Sequence, residues 1–406
     1  MKPKPSMIVV GAGQAGGWAA QTMRTEGFQG RIILVGEETH LPYERPPLSK
    51  GLLAGEGTPE QCYLQDRLHY RKRDIELRLG TKATVLDLES RQVHLSNGET
   101  LDYDKLLLAT GSRVRKLDVS GGKLANIFYL RTIEDMLLIR PRLKPGADLV
   151  IVGGGYIGLE VAATACGRGC NVTVVERERT VMNRVVAPEV GAFFAEVHEK
   201  QGVNLQFGGS VARFEGQRRV ERVVCDDGTV IPADVVIIGV GARPNDELAA
   251  VAGLVVDDGI VIDEYGQTVD QHVFAAGDVA NHPNAVLGRH VRLESWQNAQ
   301  NQAITVAQTM CGNRTPYRDV PWFWSDQFNL TLQIVGLATD WDSLVYRGNV
   351  EEQKFTVFYL RDGAVVAANA VNNPRDIHFA RQLVAEKRRI TPSVLSDLQV
   401  PLKKLF

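Results

Sequence analysis

The sequence predicts an α/β protein: two units of parallel sheet and helix in β-α-β order, and a small α+β domain at the C-terminal end. Three observations predict it. A Gly-rich turn sits between a strand-like and a helix-like stretch near the start of the chain. The same arrangement recurs near its middle. After the last long helical stretch the pattern changes to short alternating apolar and polar runs.

In chain order, Met7 to Val10 is a β-branched run followed at once by Gly11-Ala12-Gly13-Gln14-Ala15-Gly16, then by helical spacing from Trp18 to Glu26. Arg31 to Val35 reads as a second buried strand and ends at Gly36-Glu37-Glu38. A loop rich in proline and charge follows, His40 to Gly57, with Pro46 and Pro47 in its middle; ordered loops of that length tend to be functional. Lys105 to Ala109 is another strand, closed by Thr110-Gly111, a crossing point between domains. The pattern then repeats: strand Leu149 to Val152, turn Gly153 to Gly158, helix Leu159 to Gly167, strand Asn171 to Val175, then Glu176. Val235 to Val240 and Val273 to Ala276 are further buried strands, the first turning at Gly241, the second running into Gly277-Asp278. A helix is expected over Trp296 to Met310, a break over Gly312 to Pro321, sheet over Lys354 to Leu360 and Ala364 to Val371, and a terminal helix near Asp376 to Lys387. The domains expected are residues 1–112 and 235–313 as two parts of one, 113–234 inserted between them, and 314–406 as the C-terminal domain.

Composition bounds the function. The 406 residues carry a net charge of −2, with 44% hydrophobic and 23% charged residues, so no basic field argues for nucleic acid. The first residues lack the apolar core of a secretory signal, and no run reaches the roughly 20 apolar residues of a membrane span. A cytoplasmic location is expected. Five scattered cysteines, none in a Cys-x-x-Cys pair, form no disulfide framework and read as small buried apolar residues; no metal site is expected.

Each glycine turn has a physical job. Gly11 allows the tight turn, Gly13 removes the side chain that would block a pyrophosphate, and Gly16 lets helix and strand approach. The helix N-terminus offers free amides and the positive end of a dipole to phosphate. Glu37, about 20 residues on, is placed to accept from ribose hydroxyls. Gly153, Gly155, Gly158 and Glu176 repeat the set. Two Rossmann-like sites in one chain imply a bound flavin dinucleotide, FAD, and a diffusible nicotinamide dinucleotide, NAD, with hydride passing between them. Asp278, late in the chain after a strand and a glycine, suits a carboxylate holding a ribityl or pyrophosphate-side hydroxyl, or the cap of a following helix.

The segments GAGQAG, YERPPLSK, LLLATGS, IVGGGYIGLEVA, VGARPN, FAAGDVA and PWFWSDQ, spanning nearly the whole chain, resemble the oxygenase-coupled NADH-dependent ferredoxin reductases. That family includes reductase components of ring-hydroxylating dioxygenases, putidaredoxin reductases and rubredoxin reductases, and has the glutathione reductase-like fold. The resemblance implies that Arg45, Pro46 and Lys50 pack along the flavin, Lys50 beside its hydride-accepting nitrogen, and that Glu160 pairs with Lys50 near the nicotinamide. It implies that Trp296 and Gln297 bring a helix N-terminus to the pyrimidine edge. It also implies cofactor contacts at Ala109, Thr110, Gly111, Arg131 and Gly241.

Disulfide reductases need a cysteine pair beside the flavin. This chain has Pro46 and Pro47 in the loop after the first acid and no cysteine before Cys62. Electrons arriving as hydride are therefore expected to leave one at a time to an external carrier. The partner implied is a small [2Fe–2S] ferredoxin, preferably Rieske-type, feeding a terminal oxygenase of aromatic hydrocarbon catabolism. Alternatives from the same motifs are a rubredoxin reductase, a cysteine-free NADH oxidase or quinone reductase, and a redox-responsive interaction protein. A monomer or weak homodimer is expected. NADH is expected over NADPH, because Glu176 would repel the extra phosphate, with Arg177 and Arg179 softening the preference. The carrier is expected beside Trp322, Trp324 and the Arg45 loop, with Arg45, Arg289, Arg292 and Arg318 supplying charge.

Overall fold

A computed structural model describes residues 4–406. The chain forms two compact units: the first holds the residues up to Glu44 with Glu60–Arg113 and Arg243–Trp322, and the second holds Arg45–Pro59, Val114–Ala242 and Phe323–Phe406.

The first unit is built on a five-stranded parallel sheet in the order Val273–Ala275, Lys105–Leu108, Ser6–Val10, Arg31–Gly36, Ile75–Leu79. Strands buried on both faces read as continuous apolar runs, which is why the sequence marks them so plainly. Side chains nonetheless alternate between faces. Val9, Ile32, Leu34 and Leu107 pack against the helices Gln14–Thr25 and Trp296–Met310 through Ala19, Met23, Ala303 and Val306. Ile8, Val10, Ile33, Val35, Leu106 and Leu108 face the opposite way, onto Val93, Leu101, Leu254 and Ile260. That second face is covered in part by a three-stranded antiparallel sheet, Ala83–Asp87, Gln92–Leu95 and Thr100–Asp102.

The second unit carries its own parallel sheet in the order Asn204–Phe207, Asn171–Glu176, Asp148–Val152, Val235–Ile238, Ile127–Tyr129. Val235–Ile238 was expected to open the return of the first domain. It instead pairs in parallel with Asp148–Val152, so the crossing falls near Ala242 rather than before Val235. Residues 314–321, expected in the C-terminal domain, close the first unit, where the Tyr317 amide donates to the Glu264 carbonyl at 2.7 Å.

The C-terminal part of the second unit is a five-stranded sheet, Trp322–Gln327, Leu330–Gly336, Ala364–Val371, Lys354–Arg361, Ser343–Asn349, with antiparallel pairing across the last four. The helix Pro374–Ala385 follows it. The sheet shares a core with the second glycine-motif helix and the helix Pro188–Lys200: Leu332, Phe355 and Tyr359 pack with Leu159, Val190 and Phe194.

The loop Arg45–Pro59 lies within the first domain in sequence but belongs to the second unit. It holds a 3-10 turn, Pro46–Ser49, and a short helix, Gly51–Ala54, which ends at Gly55 with φ 101°. The Arg168 guanidinium donates to the Ala54 carbonyl at 2.6 Å, satisfying a helix-end acceptor, and the Thr164 hydroxyl donates to the Ser49 carbonyl at 2.8 Å.

Candidate functional site

In the first unit, Gly11 has φ 116°, and a Cβ there would lie 2.0 Å from the Ala109 carbonyl oxygen. A Cβ on Gly16 would meet the Gly11 oxygen at 1.8 Å. These two glycines serve the packing of the turn on itself. Gly13 is different: its missing side chain would meet nothing within 4 Å, so the turn is open where a phosphate would approach. No side chain caps the helix Gln14–Thr25, and no acid stands in its first turn. By contrast Ser295 caps Trp296–Met310, and Thr132 with Asp135 forms a capping box on Ile133–Ile139. A helix end left uncapped and without local negative charge fits a bound pyrophosphate.

The other first-unit residues converge on this turn. Thr110 and Asn245 exchange side-chain-to-backbone hydrogen bonds of 2.7 and 2.8 Å, fixing the strand exit at Ala109 and Gly111 beneath Gly11. The Ser112 hydroxyl donates to Asp278 at 2.9 Å, and a Cβ on Gly277 would lie 2.9 Å from that of Ala15. A strand, Ala280–Asn284, follows Asp278 rather than a helix, so the capping reading of Asp278 does not hold. Gln14 donates to the Trp296 carbonyl at 3.0 Å, while Gln297 donates to Asp319 at 3.1 Å.

The second unit repeats the cradle. Cβ atoms on Gly153 and Gly158 would meet the Gly239 and Gly153 carbonyl oxygens at 2.5 and 2.1 Å, and one on Gly155 would meet nothing within 4 Å. No side chain caps Tyr156–Gly167, and its first turn holds no acid. Over it opens a cleft of about 400 Å³, lined among others by Gly155, Glu176, Arg177, Arg184 and Val240. Gly241, with φ 101°, turns the chain at its edge, and Gly239 is the counterpart of Ala109 that the sequence reading passed over.

The two acids are not equivalent, although the spacing suggests they are. Val10 pairs with Val35, and Val152 with Val175, so the residues matched at the strand ends are Gly36 and Glu176. A Cβ on Gly36 would lie 2.5 Å from the Cβ of Ala12, whereas the matched motif residue in the second unit is Gly154, which leaves room for Glu176. Glu176 fills that room: its carboxylate accepts from the Gly154 and Glu178 amides at 2.6 and 2.9 Å. Glu37 falls one position further on, is 70% exposed at its side chain, and pairs with Lys82 at 3.3 Å. Glu38 is half-buried and accepts from the Tyr43 hydroxyl at 2.6 Å, which makes it a candidate the sequence reading missed. The alanine inside the first motif was the available signal, since it leaves no space for an acid at position 36.

Lys50 and Glu160 meet. Lys50 Nζ lies 2.7 Å from Glu160 Oε2, with the lysine side chain 22% exposed and the glutamate 3%. The Ser49 hydroxyl donates to the same oxygen at 2.6 Å, and the Ser325 hydroxyl donates to Oε1 at 2.8 Å. A buried carboxylate is costly unless paired and hydrogen-bonded, and this one is both. Lys50 Nζ also donates to the Pro46 carbonyl at 3.4 Å, and Arg45 donates to the Arg131 carbonyl at 2.5 Å.

All five cysteines are unpaired. Burial and the nearby Glu44 charge push the Cys62 thiol up to about 11, the opposite of what a redox-active thiolate needs. Among the described residues no helix is long and apolar enough to cross a membrane. Arg292 is not a free surface charge: its side chain is 10% exposed and pairs with Glu294 at 2.5 Å and Asp258 at 3.2 Å.

Two parallel-sheet units with matched glycine cradles define a two-dinucleotide oxidoreductase. Residues 5–303 match the family model described as pyridine nucleotide-disulphide oxidoreductase, and residues 322–406 match that described as reductase C-terminal. The chain belongs to the pyridine nucleotide-disulphide oxidoreductase family, and within it stands with the ferredoxin reductases of oxygenase systems. It is 43% identical to putidaredoxin reductase of Pseudomonas putida over 100% of this chain and 98% of that one. It is 41% identical to the ferredoxin–NAD(+) reductase component of the anthranilate 1,2-dioxygenase system of Burkholderia cepacia, over 98% of both chains. A crystal structure of the covalent putidaredoxin reductase–putidaredoxin complex superposes with a TM-score of 0.96 at 43% identity, covering 100% of this chain and 98% of that one. The family brings flavin and NAD(H) chemistry with it.

Proposed function

We propose that the chain takes hydride from NADH by way of FAD and passes the electrons singly to a small [2Fe–2S] ferredoxin, Rieske-type by preference, that feeds an oxygenase. The observation that carries this reading is the pair of open glycine cradles, each on an uncapped helix N-terminus. Of the relatives named above, one is a putidaredoxin reductase and one the ferredoxin–NAD(+) reductase component of a dioxygenase system, which supports a ferredoxin carrier as the electron acceptor.

When bound, FAD supplies the conversion of a two-electron hydride into single electrons. The chain's own residues do the rest. The first cradle and Asp278 hold one dinucleotide, and the second cradle with Glu176 holds the other by its ribose. Lys50 supplies a fixed ammonium for the negative charge that arrives with hydride, and Glu160 fixes that ammonium in place.

The test is cytochrome c reduction by NADH with the holoenzyme and a panel of Rieske-type, vertebrate-type and rubredoxin carriers. Turnover should depend on a [2Fe–2S] carrier. NADH oxidation that proceeds equally fast with oxygen or quinone alone would overturn the proposal.

A further inference from the structure

Behind Glu160 a file of buried polar side chains runs into the second unit. Ser325 donates to Glu160 Oε1 at 2.8 Å, Gln327 Nε2 donates to the Ser325 hydroxyl at 3.1 Å, and Gln327 Oε1 stands 2.9 Å from His198 Nε2. Ser325, Gln327 and His198 are each 0% exposed. Ser325 and Gln327 lie on one face of the strand Trp322–Gln327, and His198 comes from the helix Pro188–Lys200.

The direction of every bond in this file follows from the carboxylate. A carboxylate only accepts, so the Ser325 hydroxyl hydrogen points at Glu160. The Ser325 oxygen then needs a donor, which is the Gln327 amide nitrogen. That turns the amide oxygen toward His198, whose Nε2 must carry the hydrogen. His198 Nδ1 has no hydrogen-bond partner among the described residues, so the ring is held neutral as the Nε2–H tautomer, and burial lowers its pKa in agreement. Three donors in series thus point at one buried oxygen, each polarising the next toward the charge. Ser49 and Lys50 hold the other oxygen.

We propose that Ser325, Gln327 and His198 are positioning residues that fix the carboxylate plane of Glu160, and through it the Lys50 ammonium, for hydride transfer from NADH. The proposal rests on the functional reading above. Reduction of the wild-type flavin by NADH, measured in the same runs, tests that reading separately. A hydroxyl that merely filled space would be replaced by Ala at little kinetic cost. A hydroxyl that orients Glu160 loses its effect once the carboxylate is gone, so the two changes should not add.

The experiment is stopped-flow flavin reduction by NADH for Ser325→Ala, Glu160→Gln and the double variant, with ring-nitrogen NMR of His198 in the holoenzyme. Ser325→Ala should slow reduction at saturating NADH about tenfold, the scale of a lost hydrogen bond to a charged group. Half-saturation by NADH should move less than about twofold, and in the Glu160→Gln background the same change should cost less than about twofold further. Wild-type His198 should show the Nε2–H tautomer. If Ser325→Ala fails to retain flavin, Gln327→Met keeps the volume, removes the Gln327 bonds to Ser325, His198 and Met182 while leaving Ser325 on Glu160, and should show a smaller slowing with the same non-additivity. An unchanged reduction rate, an additive double variant, or the Nδ1–H tautomer would overturn the proposal.

Discussion

Lys50 Nζ sits 2.7 Å from Glu160 Oε2, joining a loop that precedes the first domain's small sheet to the first turns of the second glycine-motif helix. The glutamate cannot be left alone, because its side chain is 3% exposed. Lys50→Met would strand a buried carboxylate on two hydroxyls, and we expect it to destabilise the fold by about 3 kcal/mol, read from the denaturant midpoint. It should also slow flavin reduction at saturating NADH by about tenfold or more while changing the NADH half-saturation far less, since the ammonium is needed where charge develops. Unchanged stopped-flow reduction in that variant would deny Lys50 a catalytic role.

NADH should be preferred to NADPH. The Glu176 carboxylate is locked by the Gly154 and Glu178 amides, so it cannot swing away from a 2′-phosphate. Arg177, the nearest compensating cation in sequence, is already paired with Glu178 at 3.0 Å. Glu176→Ala should narrow the ratio of specificity constants by about tenfold, through loss of both the ribose acceptor and the repulsion. Comparable wild-type kcat/KM values for the two cofactors would show the assignment wrong.

Stability should fall in mild acid. His282 is 1% exposed, and burial, with the nearby His290 adding to it, pulls its pKa down from 6.5 to about 4. The group is depressed in the folded state, so the unfolded chain takes up the proton first. Its contribution is therefore complete above pH ~6.5 and is lost as the pH falls toward 4, by roughly 3 kcal/mol over the window. His282→Phe beside Tyr317 removes the titration, and its Tm should drop less than that of the wild type between pH 7 and pH 5. Equal drops would assign the acid sensitivity elsewhere, with His198 the next candidate since burial lowers it too.

What the sequence made legible was local. The helix Trp296–Met310 was read at its observed ends because Ser295 supplies a cap just before the apolar periodicity starts. Both glycine turns declare their φ and close-approach needs in three residues. What stayed hidden depended on distant partners. Val235–Ile238 is apolar whichever sheet it joins, so nothing local says that it pairs with Asp148–Val152. Spacing alone points to Glu37, and only the pairing of Val10 with Val35 shows that Gly36, beside the Cβ of Ala12, stands where Glu176 stands in the second unit. Ser325 was invisible as a site residue because its partner lies 165 positions away and a single hydroxyl has no pattern. In the strand Trp322–Gln327 the side chains alternate: Phe323 packs into the core on the side of buried Ser325 and Gln327, and Trp324 bonds to Asp326 on the other.

The carrier-dependent rate should fall with salt while flavin reduction by NADH does not. Arg289 and Arg318 are both exposed, whereas Arg292 is committed to Asp258, Glu294 and the Asp278 carbonyl. The charge available to an acidic ferredoxin is thus carried by the first two, and Arg292→Glu would damage the Asp278 turn rather than report on docking. Complementary surface charge acts mainly on encounter, and salt screens it over about 8–10 Å at physiological ionic strength. The Lys50–Glu160 pair proposed to serve hydride transfer is largely buried, and salt screens such a pair much less. Arg289→Glu and Arg318→Glu should each raise the apparent KM for ferredoxin by about three- to tenfold at low salt, with the difference shrinking as salt rises, and leave the KM for NADH unchanged. Steady-state cytochrome c reduction across an ionic-strength series reads this directly. A carrier-dependent rate that ignores salt, together with wild-type KM values in both reversals, would place the docking surface away from these arginines.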